Sequence, residues 1–115
     1  MSIELMISEH PLVGAGYNAT LSHAVRQAID CAAICTSCAD ICAATAKIAM
    51  RRTGTNRLLI RSQLAVCIEA CDTCAEECAR HKMAHRARCA QMCKECAQAC
   101  RTAIEGLDAE IGAEF

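Results

Sequence analysis

Apolar residues along this chain recur at helical spacing, and no stretch alternates with period two, so the pattern predicts helices and no strands. The most regular positions are cysteines. Cys31-x3-Cys35-x2-Cys38-x3-Cys42 is repeated with the same spacing as Cys67, Cys71, Cys74, Cys78 and as Cys89, Cys93, Cys96, Cys100. At about 100° per residue, steps of four, three and four return each sulfur to within roughly 60° of arc, so a helix carrying such a run shows four thiols on one face. Residues 1–17 differ. Ile3, Met6, Ile7 and His10 fit a short N-terminal helix, and Pro11, Gly14 and Gly16 break it into a loop. Asn18 or Thr20 is an N-cap type of residue, and no proline or glycine follows until Thr53-Gly54-Thr55-Asn56, which predicts one helix over about 19–52. A second is predicted over about 57–82 and a third over about 84–105, stopped by Gly106. The class is all-α.

Consecutive helices with short connections pack antiparallel, and the cysteine runs are placed for it. Cys42 and Cys67, like Cys31 and Cys78, are centred on the Gly54 turn; Cys78 and Cys89, like Cys67 and Cys100, are centred on the second turn. Because 4-3-4 reads the same backwards, the sulfurs are expected at four levels: Cys31, Cys78, Cys89; Cys35, Cys74, Cys93; Cys38, Cys71, Cys96; and Cys42, Cys67, Cys100. These levels span about 16 Å. Extending the rhythm past Cys78 and back from Cys89 reaches His81 and His85, which makes that end polar and open. At the other end it meets Ile60, Leu64, Ala46, Ala49, Ile104 and Leu107, a closed and dry end.

Composition changes the picture in three ways. A chain of 115 residues fits one domain, 1–115, and with one Phe, one Tyr and no Trp its core must be filled by cysteine and alanine. Twelve cysteines would fit a secreted disulfide scaffold, but the opening residues have neither the basic region nor the apolar run of a signal peptide. The expectation is therefore a cytoplasmic protein with free thiols. No apolar run approaches the roughly 20 residues of a membrane span, and a net charge of −1 with interspersed signs predicts no nucleic-acid partner.

What remains is thiol chemistry. A buried cysteine can serve as a small hydrophobe, but twelve in register bring oxidation risk with no packing advantage over Ala, Val or Leu. The pairs Cys35/Cys38, Cys71/Cys74 and Cys93/Cys96 have thioredoxin-like spacing but lie in mid-helix with no strand nearby. An iron–sulfur cluster needs four ligands converging on one point, whereas a straight stripe diverges. Soft thiolates select Cu(I), and less selectively Zn(II). Zinc wants closed four-ligand sites carrying excess negative charge; Cu(I) is satisfied by two or three sulfurs that bridge ions, so its charge balances theirs. Many Cu(I) ions suit the pattern. A thiol redox or oxidant-scavenging protein, and a buffer of zinc or another thiophilic metal, are the alternative readings.

The runs Asp30-Cys-Ala-Ala-Ile-Cys-Thr-Ser-Cys-Ala-Asp-Ile-Cys-Ala-Ala-Thr-Ala46, Glu69-Ala-Cys-Asp-Thr-Cys-Ala-Glu-Glu-Cys-Ala79 and Cys89-Ala-Gln-Met-Cys-Lys-Glu-Cys-Ala-Gln-Ala-Cys100 resemble the cysteine-rich four-helix-bundle copper storage proteins of the cytosolic type, over about residues 20–105. The resemblance implies an antiparallel up-down four-helix bundle, here three Cys-bearing helices plus a short N-terminal helix. It also implies Cu(I) stored on all twelve inward-facing cysteines without an enzymatic step, a homo-oligomer, by resemblance a tetramer, and admission of copper at a histidine-containing end, matched here by His81 and His85. Such proteins carry a further Cys-bearing helix where residues 1–17 have no cysteine. The fourth wall is thus left to the short N-terminal helix, to a bend in helix 19–52, or to another subunit. Met83 and Met92 lie off the stripe and are expected to pack rather than ligate; His10 and His23 are expected at the surface; Arg51, Arg52, Arg57 and Arg61 are expected on a solvated or subunit-contact face.

Overall fold

The structure is a computed structural model that describes residues 19–80 and 83–113; the short helix expected in residues 1–17 lies outside them. Among the described residues there are four helices and no strands: α1 Ala19–Ile34, α2 Ala39–Met50, α3 Arg57–Ala79 and α4 Ala84–Ala113. They form a closed ring in which α1 packs on α2 and α4, and α3 packs on α2 and α4. Successive helices run up, down, up and down around one core. None is long and apolar enough to cross a membrane.

The single helix expected over 19–52 is two helices, and the sequence gives the reason. Thirty-four helical residues would run about 51 Å, more than the 46 Å of the molecule's longest dimension. Leu21, Ala24, Val25 and Ala28 would then project beyond any partner. By folding back at Cys35–Cys38, the chain buries all four, a gain of about 1.5–3 kcal/mol for each of the two larger side chains. Thr36 and Ser37, weak helix formers, are exposed at the break. Backbone bonds from Cys35 N to Cys31 O (2.8 Å) and from Cys42 N to Cys38 O (2.9 Å) close one helix and open the next. The fourth wall is therefore the N-terminal half of the same segment, and all four helices carry cysteine.

The α2–α3 turn falls where Thr53-Gly54-Thr55-Asn56 predicts it. Asn56 fastens it, accepting from Thr53 N at 2.7 Å and donating to Arg51 O at 2.9 Å.

Gly106 does not stop α4. A glycine costs a helix interior about 1 kcal/mol, less than the burial of Leu107 that follows. The extra turns also carry Asp108 to Arg61, in a two-pronged contact at 2.6 and 3.2 Å, and Glu110 to Arg52. Arg52 is thus buried and paired rather than on a solvated face. With Ile60, Leu64, Ala46, Ala49 and Leu107 buried and Ile104 half-buried against them, this end of the bundle is closed as the sequence indicates, save that Ile104 is only partly covered. Arg101 and Asp72 join α3 to α4 farther along.

Candidate metal centre

Every cysteine is buried. Cys31 is on α1, Cys42 on α2, and Cys35 and Cys38 flank the turn between them; α3 presents Cys67, Cys71, Cys74 and Cys78, and α4 presents Cys89, Cys93, Cys96 and Cys100. The helical repeat aims the eight sulfurs of α3 and α4 inward, while the α1–α2 hairpin folds the first run onto them.

The sulfurs form one connected column. Near the α3–α4 turn, Cys78 is 3.9 Å from Cys74, which is 3.8 Å from Cys89. Cys93 follows, 3.5 Å from Cys35 and 3.7 Å from both Cys31 and Cys38. Next, Cys71 lies 4.0 Å from Cys31 and 3.6 Å from Cys42, and Cys42 is 3.9 Å from Cys67. Cys100 completes the column beside Cys67 and Cys96.

Four sets of four sulfurs have all members within 4.8 Å of one another: Cys35, Cys74, Cys89, Cys93; Cys31, Cys35, Cys38, Cys93; Cys31, Cys38, Cys42, Cys71; and Cys42, Cys67, Cys71, Cys96. Adjacent sets share two members, except at the turn-ward and far ends of the column where Cys78 and Cys100 stand outside the sets. Shared sulfurs fit bridged soft ions; separate closed tetrahedral zinc sites need four ligands each.

The expected levels hold in part. Cys35, Cys74 and Cys93 meet, and Cys42 and Cys67 meet with Cys100 beside them. Cys31 is displaced. It was expected with Cys78 and Cys89, but the hairpin turns it back onto Cys38, Cys42, Cys71 and Cys93, and Cys35 takes the place opposite Cys89. There the Cys35 and Cys89 sulfurs are in direct contact, with Cα atoms 5.3 Å apart, a spacing that oxidation can bridge. The other ten cysteines are free. As thiols, Cys35 and Cys89 complete the first four-sulfur set with Cys74 and Cys93.

The column is electrostatically uneven. Burial pushes the Cys74 thiol up to about 12. Hydrogen bonds from Cys38, Cys42, Cys71 and Cys93 hold Cys31 below the ordinary thiol range, and those from Cys100, Cys42, Cys71 and Cys96 do the same for Cys67. Cys71, hydrogen-bonded first to Cys31 and then to Cys38, Cys42 and Cys67, is held above it.

His85 is exposed in the first turn of α4 and belongs to none of the four sulfur sets, and His81 lies outside the described residues. Arg86, unremarked in the sequence pattern, is the group that reaches the column, with Nη1 3.9 Å from Cys78 Sγ. Its signal was its spacing: it stands three residues before Cys89 and so continues the stripe. Met92 packs against the core, whereas Met83 and His23 are exposed, so neither methionine is placed as a ligand.

The family described as Csp, copper storage protein, matches residues 15–105. No curated protein sequence matches the chain. Among solved structures, the copper storage protein Ccsp from Streptomyces lividans, loaded with 10 copper equivalents, superposes with a TM-score of 0.81 at 27% identity, over 90% of this chain and 98% of that one. The four-helix bundle, its buried column of cysteines and the family match over most of the sequence lead to one assignment: the chain belongs to the copper storage protein family.

Proposed function

We propose that this protein stores copper in the cytoplasm as multiple Cu(I) ions held by Cys31, Cys35, Cys38, Cys42, Cys67, Cys71, Cys74, Cys78, Cys89, Cys93, Cys96 and Cys100, without a catalytic step. The observation that carries the reading is the sharing of sulfurs between adjacent four-sulfur sets. A thiolate that bridges two Cu(I) ions lets the metal count approach the thiol count, so the ions neutralise the thiolates and little net charge is left buried. The loading of the Streptomyces relative with 10 copper equivalents supports a count of this order. His81 and His85 form the site where copper is admitted, and the bundle works as a homo-oligomer, a tetramer.

The close approach of Cys35 and Cys89, with Cα atoms 5.3 Å apart, favours a second reading, a thiol redox protein. Anaerobic titration of the reduced protein with Cu(I) against a competing chelator separates the two. A plateau near one ion per thiol is expected, with zinc displaced by copper. A plateau at one or two ions overturns the storage of many ions.

A further inference from the structure

The α3–α4 end of the column carries a cation that storage alone does not explain. Arg86, half-buried in the first turn of α4, reaches Cys78 in the last turn of α3. Cys78 is only 1% exposed and touches Cys74, a member of the first four-sulfur set. Arg86 therefore stands one sulfur away from that set. Among the described residues it has no carboxylate partner, whereas neighbouring Arg80 is matched by Glu76 at 3.2 Å.

Between Glu76 and Cys89 the acidic residues are Glu76 and Glu77 and the basic ones Arg80, Lys82, Arg86 and Arg88, while the α1–α2 turn brings the exposed Asp30 and Asp40 to the same end, so charges there balance and Arg86 stands out by its contact with a sulfur. A guanidinium against the outermost sulfur is a paradox for a protein that takes up a cation. It repels Cu(I) arriving as a cation and attracts Cu(I) arriving inside an anion.

We propose that Arg86 determines the charge class of the copper donor, selecting Cu(I) carried as an anionic bis(thiolate) complex. The inference rests on the storage reading above. The transfer is a ligand exchange with no change of oxidation state: a bond forms between Cys78 Sγ and copper, one bond between copper and a donor thiolate breaks, and the departing thiolate takes the Cys78 proton. The complex on Cys78 keeps its single negative charge beside the guanidinium until the next sulfur, Cys74, replaces the second donor thiolate.

The test is stopped-flow loading of the reduced full-length protein under anaerobic conditions, with Cu(I) supplied either in excess N-acetylcysteine or as its acetonitrile cation. Arg86→Gln is expected to slow loading from the anionic donor about tenfold and to leave loading from the cation equal or faster. Arg86→Lys should restore most of the rate, and added salt should slow wild type more than Arg86→Gln. Final capacity should be the same in all three proteins. Equal slowing from both donors, or no slowing, overturns the proposal and leaves storage standing. If Arg86→Gln fails to fold, the wild-type salt dependence decides, and a rate from the anionic donor that does not fall with salt overturns it. A wild-type plateau at one or two ions removes the storage reading and this inference together.

Discussion

Cys31 Sγ lies 3.5 Å from Cys38 Sγ, although seven residues of continuous helix would separate them by about 10 Å along the axis. That contact exists because α1 and α2 form a hairpin, and the hairpin lets a chain with three cysteine runs build a four-walled column. Leu21 tests it. It is fully buried only because α1 folds back, so Leu21→Ala should destabilise the reduced metal-free protein by about 2–5 kcal/mol in denaturant unfolding. A loss under about 0.5 kcal/mol, as expected of a surface position, would mean that α1 extends into solvent.

Much of this arrangement was legible in the residues. The 4-3-4 cysteine spacing gave the helical class, the inward thiols and the dry end at Ile60, Leu64 and Leu107. It could not give the hairpin, because Cys35-Thr36-Ser37-Cys38 contains no strong helix breaker. What broke the helix was the need to bury Leu21, Ala24, Val25 and Ala28, a tertiary demand that local propensity does not carry. Gly106 misled in the opposite direction. Its local signal for a helix end was overridden by Leu107 and by the ion pairs of Asp108 and Glu110. Arg86 was hidden because it sat on the stripe as a charge where the pattern drew attention to thiols and imidazoles.

The C-terminal extension of α4 makes a second prediction. Arg52 has only 5% of its side chain exposed and its partner Glu110 has 25%. Glu110→Gln leaves that guanidinium without its counter-charge, and should cost about 2–3 kcal/mol, below the full effect for a wholly buried pair because Glu110 is partly solvated. Chemical denaturation at neutral pH checks the value. An unchanged midpoint would show that the last turns of α4 do not hold the closed end.

Metal-free stability should depend on alkaline pH through Cys74. Its thiol is raised from 9.0 to about 12 in the folded protein, so the folded state keeps a proton that the unfolded state gives up. The contribution is complete below pH 9 and is lost as pH rises through 12. The wild-type melting temperature should therefore fall over this window, and that of Cys74→Ala should fall less steeply. Parallel curves for the two proteins would remove the assigned role of Cys74.

Replacing both His81 and His85 by alanine should slow copper loading several-fold and leave capacity intact, since neither is counted among the ligands. Stopped-flow absorbance reads the rate and chelator competition the capacity. Loading as fast as wild type would leave Arg86, and no imidazole, as the group that handles incoming copper.

The most direct measurement is anomalous scattering at the copper edge from crystals of the reduced protein loaded with Cu(I). The account predicts a file of copper ions running the length of the column, with Cys31, Cys38, Cys42 and Cys71 each bound to copper and shared sulfurs bridging neighbouring ions. One isolated copper site, or copper confined to the surface while the sulfur column stays empty, would contradict it.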